Sequence, residues 1–257
     1  MNFIRYRAKK RLTKPFDGKI SKSTTSFVNS GQNRFFFTLR GWYDIIKIKG
    51  GVGLIHKINW NEIRSNMGFC DSIPQAIENL ISSNAEIREN AYWKLDNHIV
   101  VQGTLYEGAF YVIPFLLNYI YNDIENGKKE IYNLLYEIAN GWSDYNDYVE
   151  FKYSEYENIM YFIPDKNNGV KLPLQLACRN AILSAWDVLK KELYDDSSDC
   201  RSIVLDIIFI YQEYSHILQM YLKDIIDSEQ SQFAKYAMEY YNEITLKSNS
   251  ANKLPTT

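Results

Sequence analysis

The sequence predicts a mainly α-helical protein built from antiparallel helix pairs that pack in layers. Apolar residues recur every three to four positions from about Asp71 onward, and each such stripe has the length of a helix. The segments that join the stripes are short and polar, as expected for consecutive helices that pack against their neighbours. With 12 Gly and 6 Pro among 257 residues, and 46% hydrophobic residues, an ordered helical protein is favoured over a loop-rich β protein.

The first 60 residues differ from the rest and are predicted to form a basic N-terminal arm or a small appendage. Residues 1–27 show little hydrophobic periodicity, which indicates an irregular arm. Between Phe35 and Ile58, short β-branched and aromatic runs are broken by glycines. This pattern predicts a β-hairpin around Gly50-Gly51, with a short helix as the alternative. The predicted domains are the arm at 1–60, a helical repeat domain at 61–250 and a disordered tail at 251–257.

The helical stripes begin after Asp71. Ser72 is predicted to cap a first helix that has Pro74 near its start. The polar turn at 82–84 leads into a second helix with apolar residues at steps of four. The most apolar stretch, 99–121, is interrupted by polar residues and is predicted to be a core helix pair rather than a membrane span. The later stripes are Ile131–Ile138, Leu174–Leu189, Ile203–Tyr211, Ile217–Ile225 and Phe233–Ile244.

The formal net charge of −2 conceals two segments of opposite charge. Residues 1–60 contain 13 basic and 2 acidic residues, a net charge of +11. Residues 61–257 contain 16 basic and 29 acidic residues, a net charge of −13. An acidic body attracts basic partners and repels nucleic-acid phosphates, and a basic arm does the reverse. An arm that folds onto the body and neutralises it is an equally open alternative.

Cysteine content and the N-terminal sequence bear on the cellular compartment. The three cysteines, Cys70, Cys178 and Cys200, have wide spacings that match neither a disulfide framework nor a zinc signature. Such usage is typical of a reducing cytosol. Met1–Leu12 is basic but lacks the apolar run of a secretory signal. We therefore expect a cytoplasmic protein with no membrane association.

Residues suited to catalysis are scarce, and the sequence predicts a protein that is not an enzyme and has no cofactor and no metal ion. His56, His98 and His216 are far apart and lack the spacing of metal ligands. Cys178 lies on an apolar stripe, as a small core residue does. Cys200 lies at a helix start, where a lowered thiol pKa would be favoured, but no histidine is placed beside it as a base.

Four polar residues near the end of the second predicted helix allow two interpretations. They could line a shared polar pocket, or they could satisfy backbone groups left open at the helix end while Gly103 makes a left-handed turn. The second interpretation is favoured because helix ends need hydrogen-bond partners in any protein. The four residues are His98, Gln102, Tyr106 and Glu107.

The segment 141–157 interrupts the helical pattern and mixes aromatic residues with carboxylates. Tyr and Trp supply large, rigid contact areas, and Asp and Glu select a positively charged partner. The alternative is a long, solvated loop between helices. The predicted partner-binding residues are Trp142, Asp144, Tyr145, Asp147, Tyr148, Glu150, Glu155 and Glu157.

Several segments resemble HEAT repeats. Ser83-Asn84-Ala85-Glu86-Ile87-Arg88-Glu89-Asn90-Ala91 is similar to the turn and second-helix start of such a repeat, in which an arginine points back over the turn. Further segments resemble bacterial HEAT-like proteins, some of which are encoded near polymorphic or contact-dependent toxins and are taken to be immunity proteins. These segments are Trp93-Lys94-Leu95, Gln102-Gly103-Thr104, Pro114-Phe115-Leu116-Leu117, Ile138-Ala139-Asn140-Gly141-Trp142 and Ala177-Cys178-Arg179-Asn180-Ala181.

The resemblance covers about residues 71–245 and implies a HEAT-like α-solenoid; the first 60 residues depart from it. It further implies an immunity protein of a toxin–antitoxin or contact-dependent growth inhibition system, which neutralises a cognate toxin domain by occlusion. The acidic body indicates that this protein partner is cationic. Two alternatives are a nucleic-acid-binding HEAT protein that grips phosphate with the arm and residues 34–57, and a scaffold or regulatory adaptor.

Overall fold

The computed structural model describes residues 55–156, 159–211 and 215–251, with side chains at 55–154, 161–211 and 215–247. Within these ranges the chain is mainly helical with small antiparallel sheets, which confirms the predicted fold class at that level. None of the helices in these ranges combines the length and apolar character needed to cross a membrane. The predicted hairpin around Gly50-Gly51, the arm at 1–54 and the tail after 251 lie outside the described residues.

The elements follow one another with short connections. A 3-10 turn at Trp60–Glu62 precedes two short hairpins, β1 (Arg64–Ser65) with β2 (Gly68–Phe69) and β3 (Val100–Val101) with β4 (Thr104–Leu105). A three-stranded sheet is formed by β5 (Tyr148–Tyr156), β6 (Ile159–Pro164) and β7 (Val170–Pro173). The helices are α1 (Ile73–Asn79), α2 (Ala85–Ile99), α3 (Glu107–Tyr121), α4 (Lys128–Asn140), α5 (Leu174–Leu183), α6 (Trp186–Tyr194), α7 (Arg201–Ile210), α8 (Ser215–Ser228) and α9 (Gln232–Ala251).

Residues 55–60 pack in the same core as the helices. Ile55, Ile58 and Trp60 are buried, and the Trp60 ring lies 6.0 Å from that of Phe115 in α3. Trp60 Nε1 donates a hydrogen bond of 2.7 Å to the Ile55 carbonyl. These residues, which the prediction assigns to the N-terminal segment, therefore contribute to the helical body.

The turn between α1 and α2 has the predicted arrangement of polar side chains. Asn84 caps α2, since its Oδ1 accepts hydrogen bonds from the amides of Glu86 and Ile87. Arg88 points back over the turn and donates hydrogen bonds of 2.7 and 3.2 Å to the carbonyls of residues 82 and 83. Ser72 precedes α1, but its side chain makes no capping hydrogen bond, so that predicted role is wrong.

Arg88 is expected to stabilise this turn measurably. Its guanidinium donates hydrogen bonds to two carbonyls of the turn after α1, and its Nε lies 3.6 Å from Glu130 Oε1 at the start of α4. Replacing Arg88 with Ala should lower the free energy of unfolding by about 2 kcal/mol because partly buried carbonyls lose their donors. Urea unfolding measures the change. The matched control is Lys94→Ala on the exposed face of the same helix, expected within about 0.5 kcal/mol of wild type; equal losses would contradict the prediction.

The helices pack as consecutive pairs. α1 packs on α2, α3 on α4, α6 on α7 and α8 on α9, while the second helices of these pairs contact one another in the order α2, α4, α7, α9. The α6–α7 pair repeats the arginine arrangement of the first turn, because Arg201 at the start of α7 donates a 2.9 Å hydrogen bond to the Leu193 carbonyl near the end of α6. Helix α5 packs against α3 and α4 and follows the sheet.

The prediction of a helix pair across 99–121 is wrong in its first half. Gln102 and Gly103 have φ values of 52° and 84°, and this pair of left-handed residues makes the tight turn of the β3–β4 hairpin. Only α3 is helical in this stretch, and its residues 108–120 are all buried. A helix that is apolar on every side needs neighbours on every side, and the sheet supplies one of them.

The sheet replaces the predicted inter-helix loop from Tyr148 onward. Its strand order is β6-β5-β7, antiparallel throughout. Val149 and Phe151 are buried while Tyr148 and Lys152 are exposed, which is the alternation of a half-buried strand. The sheet packs on α3 through stacked rings of Phe110 and Phe162, with centroids 4.2 Å apart.

Candidate partner-binding surface

The segment between α4 and the sheet is fastened to the helical body by its backbone. The amide of Trp142 donates to the Gly103 carbonyl at 2.8 Å, and the Trp142 carbonyl accepts from the Leu105 amide at 2.7 Å. Gly141 approaches Leu105 so closely that a Cβ there would lie 2.6 Å from a leucine methyl carbon. Residue 142 is therefore held in a fixed position beside the β3–β4 hairpin.

Residues 144–147 form a tight turn that leads into the sheet. The Asp147 amide donates to the Asp144 carbonyl at 3.0 Å, and the Asp144 amide donates to Asp147 Oδ2 at 3.1 Å. The Asp147 carbonyl accepts from the Leu174 amide at 2.8 Å, which ties the turn to the start of α5. Gln175 Nε2 donates to the Gly141 carbonyl at 3.0 Å and closes the other end.

This fixed segment presents large aromatic side chains to solvent. Trp142 is 51% exposed, Tyr145 87% and Tyr148 37%, and Leu176 in the first turn of α5 is also exposed. We call Trp142, Tyr145 and Tyr148 the aromatic surface. Neighbouring exposed apolar side chains on a rigid backbone are typical of protein contact sites, where Trp and Tyr are enriched.

Carboxylates accompany the aromatic surface, but not all of them carry free charge. Asp144 and Asp147 are exposed and make no ion pair with any residue that the structure describes. Glu150 is neutralised, since its Oε1 lies 2.6 Å from Lys171 Nζ. That ammonium also lies 5.0 Å from the centroid of the Tyr148 ring. Of the three carboxylates, those of Asp144 and Asp147 are therefore the ones that no described cation pairs with.

The structure brings together the predicted residues Trp142, Asp144, Tyr145 and Asp147 in one turn, with Tyr148 and Glu150 on the adjoining strand. The side chain of Glu155 and the whole of Glu157 lie outside the described residues, so their predicted role stays a prediction. Sequence reasoning missed Gln175, whose hydrogen bond to the Gly141 carbonyl forms only because α5 starts beside the turn.

A second exposed apolar feature lies on the β1–β2 hairpin. Met67 and Phe69 are 67% and 54% exposed at its tip, on either side of Gly68. The Asn66 amide donates to the His98 carbonyl at 2.9 Å, so the hairpin is fixed to the end of α2 that leads into β3. Two large apolar residues that flank a turn glycine, Met67 and Phe69, are the signal in the sequence that could have predicted this feature.

The cysteines have no activated thiol. Burial raises the pKa of the Cys178 thiol above its usual range. Burial, and to a smaller extent the charge of Asp199, raises the pKa of the Cys200 thiol to about 12. The lowered pKa that a helix start allows in principle is not found at Cys200, because desolvation disfavours the thiolate more than the helix start favours it. Within the described part of the chain, no group of three or more His, Cys, Asp or Glu could hold a metal ion.

The four polar residues near the end of α2 do not form a shared pocket. His98 Nδ1 lies 2.7 Å from the Lys94 carbonyl of its own helix, and Gln102 is exposed in the hairpin turn. Glu107 Oε2 accepts the Arg64 amide at 3.1 Å, and burial raises the pKa of this carboxyl. The favoured interpretation agrees with this geometry for His98, which contacts a helix carbonyl, and for Gly103, which turns the chain with a φ of 84°. The Gln102 side chain makes no hydrogen bond to a described residue, so its expected role is not seen there.

Comparison with protein-family models, with curated proteins and with solved structures finds no match to this chain. Function is therefore inferred from the chemistry of the surface and from the packing of the helices.

Proposed function

We propose that the protein is an immunity-type binding protein that covers and blocks a partner protein with its aromatic surface. The observation that carries the proposal is the exposure of Trp142, Tyr145 and Tyr148 beside the carboxylates of Asp144 and Asp147, which make no ion pair with any described residue. Such a set matches the composition of interface centres, where a few aromatic anchors supply most of the binding free energy.

The rigidity of the backbone around the aromatic surface favours tight association. Trp142 is fixed by two backbone hydrogen bonds to the β3–β4 hairpin, and the 144–147 turn is tied to α5. A surface ordered before association loses little conformational entropy when a partner binds. A fully buried aromatic side chain contributes about 150–250 Å² of contact area, and Trp142 and Tyr145, which are 51% and 87% exposed, keep half or more of theirs for a partner.

The helix packing supports a HEAT-like solenoid as the framework. The ordered contacts α2–α4–α7–α9 and the matching roles of Arg88 and Arg201 are expected of stacked helix pairs, with the sheet and α5 inserted after the second pair. Residues 83–91 and the later segments resemble bacterial HEAT-like immunity proteins. This resemblance favours one function among binding proteins, which is to block a toxin domain in the cytoplasm. A cationic domain would be steered toward the negatively charged body.

The nucleic-acid-binding alternative depends on the basic arm, most of which lies outside the described residues, and stays a prediction. On the sheet, Lys152 and Lys171 are 3.5 and 2.6 Å from Asp165 and Glu150, so these cations are already paired. This pairing gives no support to a phosphate-binding groove there.

Site-specific photo-crosslinking tests the proposed function. The full chain carrying benzoyl-phenylalanine at position 145 should crosslink one discrete protein in cells of its source. Met220 on α8, 68% exposed and thus similarly accessible, is the control position and should not give that product. A product of equal intensity from position 220, or none from 145, would contradict binding at the aromatic surface.

Expression of the captured protein then distinguishes an immunity function from binding alone. Its expression alone should arrest growth, and co-expression of this chain should restore growth if occlusion neutralises it. Binding without rescue would contradict the immunity function while leaving the contact site intact.

A further inference from the structure

We infer that the aromatic surface recognises an arginine-rich segment of its partner protein, with guanidinium groups over the Trp142 and Tyr145 rings and paired with Asp144 and Asp147. This inference rests on the proposed function of the surface and specifies the partner's chemistry. Recognition of this kind differs from long-range attraction between two net charges, because each guanidinium group of the partner contacts a particular ring and a particular carboxylate.

The sheet beside the turn shows how this surface holds a cation. Lys171 Nζ lies 5.0 Å from the Tyr148 ring centroid and 2.6 Å from Glu150 Oε1. An aromatic face and a carboxylate thus share one ammonium group. The cation–π attraction and the charge-assisted hydrogen bond act together on the same atom.

A guanidinium group is held in the same way within the fold. The Arg201 guanidinium carbon lies 4.0 Å from the centroid of the Phe233 ring, and its Nη1 lies 3.2 Å from Glu229 Oε2. Arginine suits this arrangement because its planar group stacks on a ring while its edge donates to a carboxylate.

The turn at 142–147 has the same two components without a cation. Trp142 and Tyr145 expose their rings, and in the part of the chain that the structure describes no basic group lies within ion-pair distance of Asp144 or Asp147. Asp147 Oδ2 accepts the Asp144 amide, and the Asp144 carboxylate accepts no hydrogen bond from a described residue. A partner's arginine side chains would complete the arrangement seen at Lys171 and Arg201.

Arginine is favoured over lysine at these positions. The rings are more than half exposed, and a guanidinium is less strongly hydrated than an ammonium, so it loses less hydration when it stacks. Two arginines, each on one ring and one carboxylate, would add about 1–2 kcal/mol apiece, or roughly 30-fold or more in affinity together.

The test uses fluorescein-labelled hexa-arginine as the probe and hexa-citrulline as its neutral counterpart of nearly the same shape. In anisotropy titrations of the full chain at physiological ionic strength, hexa-arginine should bind at least tenfold more tightly. Trp142→Ala with Tyr145→Ala, and separately Asp144→Asn with Asp147→Asn, should each weaken hexa-arginine binding at least tenfold.

A matched charge control separates local recognition from general attraction. Asp196→Asn with Asp227→Asn removes the same charge from exposed positions elsewhere and should change binding less than twofold. Equal weakening by this control, retention of binding after loss of both rings, or equal affinity for hexa-citrulline would overturn the inference. Such results would leave a crosslink at position 145 unaffected, so the proposed function and this inference fail separately.

Discussion

Reversing the charge at Asp144 and Asp147 with lysine is expected to weaken binding of the captured partner about 100-fold, or ~3 kcal/mol. Both carboxylates are exposed beside Trp142 and Tyr145 and lack a cationic partner among the described residues. If the partner presents arginines there, the substitution replaces attraction by like-charge repulsion at short range. Isothermal titration calorimetry with purified partner measures the change, and circular dichroism checks that the fold is kept.

The control for this result is Asp196→Lys with Asp227→Lys. It changes the net charge equally from exposed positions on the α6–α7 connection and on α8. It should reduce the association rate through weaker steering but lower affinity less than fivefold. If both double variants lose affinity equally, the partner responds to overall charge, and residues 144 and 147 are not its contact site.

The helices could be predicted because their apolar stripes are local in sequence. Ile131, Leu134, Leu135 and Ile138 predict α4, and all four are buried within Lys128–Asn140. A periodic stripe specifies a helix wherever its neighbours lie. The order in which helices pack is not local, so the contacts α2–α4–α7–α9 could be proposed only from the resemblance.

The predictions that were wrong for the β3–β4 and β5 stretches share a physical cause. In both stretches, the strands lie among polar residues that hide their alternation. The β3–β4 hairpin has two residues in each strand, too few to show alternation, and its turn lies between two helices. In β5, Val149 and Phe151 alternate with Glu150, but the acidic residues of the 141–157 segment favoured a solvated loop as the alternative. The alternating burial of a strand on α3 explains both patterns at once.

The candidate site was predictable in part for the same reason. Trp142, Asp144, Tyr145 and Asp147 are neighbours in sequence, so any compact turn brings them together. The neutralisation of Glu150 by Lys171, 21 positions later, depends on strand pairing and could not be foreseen. The hydrogen bonds of Leu174 and Gln175 that place the start of α5 beside the turn are also a tertiary feature.

A buried ion pair joins α4 to α6 and to the connection that follows α6. Lys128 Nζ lies 2.8 Å from Glu192 Oε2, and the glutamate side chain is only 8% exposed. Tyr132 donates a hydrogen bond of 3.3 Å to the same carboxylate, and the Ser198 hydroxyl donates to its other oxygen. Lys128 is the cation that compensates this buried charge, so the packing of three segments depends on it.

Replacing Lys128 with Met is expected to lower the free energy of unfolding by about 3–5 kcal/mol, because it leaves the Glu192 carboxylate buried with neutral donors alone. Urea unfolding measures the loss, and Lys129→Met, an exposed neighbour, is the control expected within about 0.5 kcal/mol of wild type. Adding Glu192→Gln to Lys128→Met removes the uncompensated charge and should recover part of the loss. A double variant no more stable than Lys128→Met would contradict the charge-based explanation.

The dependence of this loss on pH provides a further check of its cause. Burial alone would lower the pKa of Lys128, but its hydrogen bond to Glu192 and the charges of Glu192 and Asp123 raise that pKa above its usual value. A raised folded-state pKa contributes stability that is fully present below the unfolded-state pKa of about 10.4 and is lost as the pH rises through the folded-state pKa. The difference between wild type and Lys128→Met should therefore be constant from neutral pH to about 10 and should shrink only above that range. A difference that stayed constant above that range as well would show that lost packing of the lysine stem, rather than its charge, caused the destabilisation.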